Sequence, residues 1–194
     1  MSGSESARAA AVPTVDYHME LIPLAAATMT LTAAAAAGAH GSSAGESIKF
    51  ASAENRVVSY FISDSADGGP ATGVAVSHGD TLKSTGAITA NVPGGELGYA
   101  IALSDITSQG DLLNAIKTGV GHANGHNNQI TVGNLSGNTM LFTQATSGGQ
   151  GNGPVTENLA NISKVDFTGG ADQAISPKLS FDLEVDDVVT IVSR

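Results

Sequence analysis

Residues 143–172, TQATSGGQGNGPVTENLANISKVDFTGGAD, decide how this chain is interpreted. They read as a strand, a glycine-rich turn, a polar crossover, a second strand and a second glycine turn. The glycines permit tight turns and positive φ, and Val165 and Phe167 alternate with polar residues as in a half-buried strand. The stretch contains no arrangement of nucleophile, base and acid, so it indicates a building block and not a reaction centre.

Composition narrows the class of protein. The 194 residues suit one compact domain or a domain with an arm, and 41% hydrophobic residues allow a real core. Only 13% are charged, about half the usual share, which is typical of β-rich proteins whose surface is partly covered by neighbours. The net charge of −10 argues against nucleic-acid binding, because phosphate contacts need Lys and Arg. The absence of cysteine excludes disulfides, Cys-zinc sites and thiol catalysis, and fits folding in a reducing cytoplasm.

The N-terminal region is predicted to be an extended arm. Residues 21–37 are apolar, but acidic residues precede them where a secretory signal is basic, and threonines interrupt them. The run is also too rich in threonine for a membrane span, so no membrane partner is expected. We predict an arm or strap over residues 1–24 and a single β-rich structural domain over residues 25–194.

Hydrophobic periodicity predicts an α+β, mainly β fold of short antiparallel strands and hairpins. Strands are expected at residues 28–32, 47–50, 56–62, 73–76, 98–103, 130–132, 140–142, 162–167 and, in the C-terminal tail, 181–192. The turns at residues 54–56 and 136–138 predict two hairpins, one of residues 47–50 with 56–62 and one of residues 130–132 with 140–142. One amphipathic helix, at about residues 108–120, should pack on the sheet, with Thr107 or Ser108 as its cap. The predicted core comprises Met29, Leu31, Ile48, Phe50, Val58, Phe61, Leu112, Ile116, Ile130, Val132, Phe142, Val165 and Phe167.

Histidines offer the first candidate chemistry. His122 and His126 are four residues apart, a spacing that would present two imidazoles to a metal on a helix. The intervening Asn and Gly break a helix, so a solvated turn is favoured, and His40 and His78 lie elsewhere. His18, near Asp16, does not complete a triad.

The remaining candidates also favour structural roles. GGQGNG, residues 148–153, lacks the following helix of a dinucleotide site and the lysine of a P-loop. No GxSxG elbow is present. Six acidic residues are candidates for Ca²⁺ binding or paired-carboxylate chemistry, but their spacing is not that of an EF-hand: Asp64, Asp67, Asp182, Glu184, Asp186 and Asp187. No catalytic, cofactor-binding or metal-ligating residue is therefore assigned.

The order of these segments resembles a known module. DLLNAIKTGV, QITVGNLSGNTMLFTQATSG, GGQGNG and NISKVDFTGGAD are similar in order to a small α+β structural module of tailed-bacteriophage virion proteins, of marine and cyanophage type, also seen in flagellin-like surface proteins. The resemblance covers residues 110–172, is weaker over residues 28–103, and omits the N-terminal two dozen residues and the C-terminal strands. An insertion at residues 33–45 and the Pro-Gly-Gly at residues 93–95 depart from it.

The resemblance implies a function without catalysis. It implies a non-enzymatic structural protein of a tailed-phage virion, made in the host cytoplasm, and most of all a capsid decoration or cement protein. Its partners would be copies of itself, as a homo-oligomer, and the major capsid protein. A tail tube, fibre-base or tail-associated protein with a tail-protein partner is one alternative, and a bacterial surface or filament subunit is another.

Overall fold

A computed structural model describes residues 17–64, 69–76 and 97–179. The predicted α+β, mainly β fold is confirmed. The elements are β1 (Tyr17–Ile22), β2 (Thr28–Ala33), β3 (Ser47–Ala51), β4 (Val57–Ser63), β5 (Ala75–Val76), β6 (Leu97–Ala102), α1 (Gln109–Gly121), β7 (Ile130–Val132), β8 (Thr139–Gln144), β9 (Thr156–Glu157), β10 (Ile162–Thr168) and β11 (Ala174–Leu179).

The chain divides into two compact units. In the first, β1 and β11 form an antiparallel pair in which Tyr17 is opposite Leu179. The second spans Pro23–Gln173 and contains two sheets and α1. The predicted boundary between residues 24 and 25 stays a prediction. The predicted arm residues 1–16, the Pro-Gly-Gly stretch and the tail strands at residues 181–192 lie outside the described residues.

The four-stranded sheet has the order β10-β2-β8-β7 and is antiparallel throughout. In its central strand β2, TMTLTA, the apolar side chains of Met29 and Leu31 are buried and the threonines lie on the opposite face. This alternation is the period of two that a strand with one buried face requires.

The five-stranded sheet has the order β5-β6-β4-β3-β9. Its β3–β4 hairpin was predicted, but β4 and β6 run parallel, contrary to the expected antiparallel arrangement. Parallel neighbours need a long crossover, and here the chain from residue 64 to residue 96 connects them. Tyr60 and Ser59, which point to opposite faces of β4, are 0% and 3% exposed, so this central strand is buried on both sides.

The helix α1 begins where the sequence predicts. The Ser108 hydroxyl accepts from the Asp111 amide at 3.1 Å, and the Asp111 carboxylate accepts from the Ser108 amide at 3.0 Å, which is a capping box. Hydrogen bonds from the hydroxyl and amide groups of Thr107 and Ser108 lower the pKa of Asp111 to about 2. The predicted stripe is fully buried and comprises Leu112, Leu113, Ile116 and Val120.

Most predicted core residues are buried, with three exceptions. Phe61 and Val132 are only half-buried, and Val165 is 58% exposed. The prediction for Val165 is wrong because β10 contains a bulge: Val165 is opposite Thr30, but Thr168 is opposite Thr28. The extra residue reverses the side-chain alternation, so Phe167 points into the core and Val165 points out.

Candidate functional site

The glycine-rich stretch is held together by the buried amide of Gln144. Its side-chain oxygen accepts from the Ala53 amide at 2.8 Å, and its nitrogen donates to the Ala51 carbonyl at 3.1 Å and the Gly151 carbonyl at 3.4 Å. The side chain is 2% exposed, so these contacts satisfy groups that water does not reach. Gln144 therefore joins the β3–β4 turn to the glycine turn.

The two glycine turns lock onto each other. Asn152 and Gly170 exchange two hydrogen bonds, of 2.9 Å and 2.8 Å. A Cβ on Gly170 would lie 2.4 Å from the carbonyl oxygen of Gly148, a contact that no other residue type allows. The Gly149 amide donates to the Asp172 carboxylate at 2.9 Å, so an acidic group already occupies the backbone donor that a phosphate would need.

The two histidines of the HANGHNN segment lie in different surroundings. The segment forms the predicted turn, and His122 is exposed. His126 is 0% exposed, so the prediction of a solvated turn is wrong at this residue. Its ring stacks on Phe50 with centroids 4.7 Å apart. The burial of His126 could not be predicted from the sequence, because all its neighbours in NGHNN are polar or glycine and such a segment is usually exposed.

His126 and Tyr60 form a buried hydrogen-bonded pair. His126 Nδ1 and the Tyr60 hydroxyl are 2.6 Å apart, and His126 Nε2 is 3.3 Å from the Phe50 carbonyl oxygen. A carbonyl can only accept, so Nε2 carries the proton and the Tyr60 hydroxyl donates to Nδ1. Burial raises the pKa of Tyr60 above its usual value and lowers the pKa of His126 to about 4. Both groups are therefore neutral at pH 7 and serve the core.

The stability of the fold should fall in mild acid because of His126. The pKa of His126 is about 4 in the folded chain and lower than in the unfolded chain. Between these two pKa values the unfolded chain is protonated at His126 and the folded chain is not, so acid favours unfolding. The unfolding free energy should not depend on His126 above about pH 6.5. It should fall by up to about 3 kcal/mol as the pH is lowered towards 4. Urea unfolding measured at several pH values between 7.5 and 4 checks this.

Two variants separate His126 from other titrating groups. His126→Asn should be less stable at pH 7 and should lose most of the dependence on pH over this window. His122→Asn, at the exposed position four residues earlier, should keep it. Equal pH dependence in the wild type and His126→Asn would contradict the assignment.

The other candidates do not converge. The His40 ring accepts from the Ser42 amide at 3.1 Å, and Asp64 lies at the end of β4. His78, Asp16, Asp67 and the four C-terminal acidic candidates lie outside the described residues, and His18 lies in β1. Within the described parts of the chain, no group of three or more His, Cys, Asp or Glu side chains is placed to hold a metal ion.

A groove of about 420 Å³ runs between β3 and the glycine turn. Its walls combine polar side chains, among them Lys49, Asn55 and Asn152, with the apolar side chains of Phe50 and Val57. The polar groups supply hydrogen bonds, but the lining contains no His or carboxylate to act as a base for a hydroxyl.

The outward side of the four-stranded sheet is the most distinctive surface. We call it the outer face, defined by the side chains opposite the buried ones: Thr28, Thr30, Thr32, Thr131, Thr139, Leu141, Thr143, Ser163, Val165 and Thr168. None of them is ionisable. The register sets them in rows across the strands, such as Thr168–Thr28–Thr143–Thr131.

The middle row of the outer face is apolar at two positions. Val165 and Leu141 lie on either side of Thr30 and are 58% and 47% exposed. In the next row, the hydroxyls of Thr32 and Thr139 are 3.2 Å apart and can hydrogen-bond to each other. The sequence signal was the alternation TMTLT, which predicted the strand but not the role of its polar side.

Comparisons with known proteins do not add a family. No family model matches this chain, and no curated protein or solved structure matches it. In the described residues, no helix is both long enough and apolar enough to cross a membrane.

Proposed function

We propose that this chain is a non-enzymatic structural protein of a tailed-bacteriophage virion, most simply a decoration or cement protein of the head. It would be made in the host cytoplasm and act through contacts with copies of itself and with the major capsid protein. The observation that carries the assembly role is the outer face, which presents ten uncharged side chains on a chain of net charge −10. The virion setting rests on the resemblance of residues 110–172 to the phage module.

An uncharged sheet face with exposed aliphatic side chains suits burial against protein. Leu141 and Val165 would gain free energy on leaving water, at about 25 cal/mol per Å² of apolar surface. Threonine adds methyl groups and hydroxyls that can pair across an interface. Interfaces are depleted of charge at their centre, as this face is.

The hydrogen bonding of the glycine-rich stretch supports a scaffold role for it. Gln144, Asn152 and Asp172 each use their side-chain polar atoms to hold backbone within the fold. The same applies to the buried ring of His126. A catalytic site would need polar groups such as these to contact a substrate. Their hydrogen bonds within the fold favour a rigid structural module instead.

Binding to phage particles tests the proposal. Heads and tails are purified from a phage whose gene for this chain is deleted, and labelled full-length protein is added to each. Saturable binding to heads is expected, with a fixed number of copies per head, because a decoration protein occupies lattice sites. Binding to tails alone would favour the tail alternative, and binding to neither would contradict a virion role.

A further inference from the structure

We infer that the outer face binds the outer face of a second copy of this chain, sheet against sheet. The two copies are related by a two-fold axis that lies midway between the sheets and parallel to β2. The inference rests on the proposed function as an assembly protein, and it identifies one of the contacts involved. It follows from the charge, the size and the row pattern of the outer face.

Charge favours a second copy as the occupant. Two chains of net charge −10 repel each other, and the repulsion is smallest where neither presents a charge. All ten side chains of the outer face are Thr, Ser, Leu or Val. Two such faces can meet without burying an unpaired charge, which would cost several kcal/mol.

The area of the outer face sets the strength of the contact. Four strands spaced about 4.8 Å apart, with three rows about 7 Å apart, cover about 400 Å². A stable interface buries about 800 Å² on each partner, so this contact should be weak between free chains. On a particle, where each copy is also held by the lattice, a weak contact gains from high effective concentration.

The middle row fixes the register. Val165 is opposite Thr30 on one side, and Leu141 is opposite Thr30 on the other, so the two aliphatic side chains lie about 10 Å apart across β2. A two-fold axis along β2 places β8 of one copy over β10 of the other. Leu141 of each copy then packs against Val165 of the other, and this contact occurs twice. Stacked sheets in this arrangement normally lie about 10 Å apart.

A charge-reversal experiment tests this register in the full chain. Sedimentation equilibrium should show a weak dimer, with a dissociation constant of about 0.1–1 mM. Leu141→Lys and Val165→Glu should each weaken association at least about tenfold, because each buries a charge without a partner. The double variant Leu141→Lys/Val165→Glu sets Lys against Glu twice, and its association should return to within about threefold of wild type.

Controls separate association from folding. Val74→Lys alters a residue of similar exposure, 46%, outside the four-stranded sheet, and it should dimerise as the wild type does. All variants should unfold at wild-type urea concentrations, because the altered side chains are exposed. Association should strengthen several-fold between 50 mM and 500 mM salt, since salt screens the repulsion between copies.

The inference is overturned if the wild type is a monomer at about 1 mM, or if the double variant associates no better than the single ones. Saturable binding to heads by such a monomer would retain the proposed function and assign the outer face to another partner. A dimer that binds no particle would instead retain the inference and remove the virion role.

Discussion

Gly125→Ala should destabilise the fold by at least about 3 kcal/mol. A Cβ at this position would lie 1.9 Å from the carbonyl oxygen of Gly119 and 3.2 Å from the Tyr60 hydroxyl. The first contact is with backbone at the end of α1, so no side-chain rotation relieves it. The turn must move away from the helix and take His126 out of its pocket. Urea unfolding at pH 7 measures the loss.

Gly153→Ala is the matched control. A Cβ there has no heavy atom within 4 Å, and the backbone does not need a positive φ. Its stability should lie within about 0.5 kcal/mol of wild type, or slightly above it, because Ala restricts the unfolded chain. If Gly125→Ala were as stable as Gly153→Ala, the placement of the turn against α1 would be wrong.

Phe50→Ala should cost about 3–5 kcal/mol of unfolding free energy. Phe50 is 2% exposed, and its ring contacts four others on both sheets and the HANGHNN turn, with centroid distances of 4.7 Å to His126, 5.4 Å to Tyr60, 6.0 Å to Phe167 and 6.1 Å to Phe142. The truncation opens a cavity between the sheets and removes the stacking surface of His126. Thermal and urea unfolding both measure the change.

Phe61→Ala provides the comparison for Phe50. It deletes the same ring from the other strand of the same hairpin, at a half-buried position. Its cost should be less than half that of Phe50→Ala, because solvent already reaches the ring and the cavity left is smaller. Equal costs would contradict Phe50 as the residue that joins the two sheets.

Local periodicity predicted the elements that depend on short-range physics. The apolar stripe of α1 and its Ser108 cap lie within one short segment of sequence, and the structure confirms both. The β3–β4 and β7–β8 pairs join strands that are close in sequence, and both were predicted as hairpins. These elements need only a period and a turn to be recognised.

The errors arise where distant parts of the chain meet. The parallel pairing of β4 with β6 depends on a long crossover. Hydrophobic periodicity predicts that a segment is a strand, but it does not predict the strand's partner in the sheet. Val165 points outward because a bulge reverses the alternation of β10. His126, in the turn after α1, is buried because Phe50 and Tyr60 of the five-stranded sheet form a pocket for it. The outer face was missed for the same reason: its rows exist only once four strands are aligned.

Electron cryo-microscopy of heads reconstituted with this chain tests the central claim most directly. The predicted result is density for the chain at fixed lattice positions, with the four-stranded sheets of neighbouring copies stacked so that Leu141 of one lies over Val165 of the other. Heads without added density, or bound copies whose outer faces all point into solvent, would contradict the account.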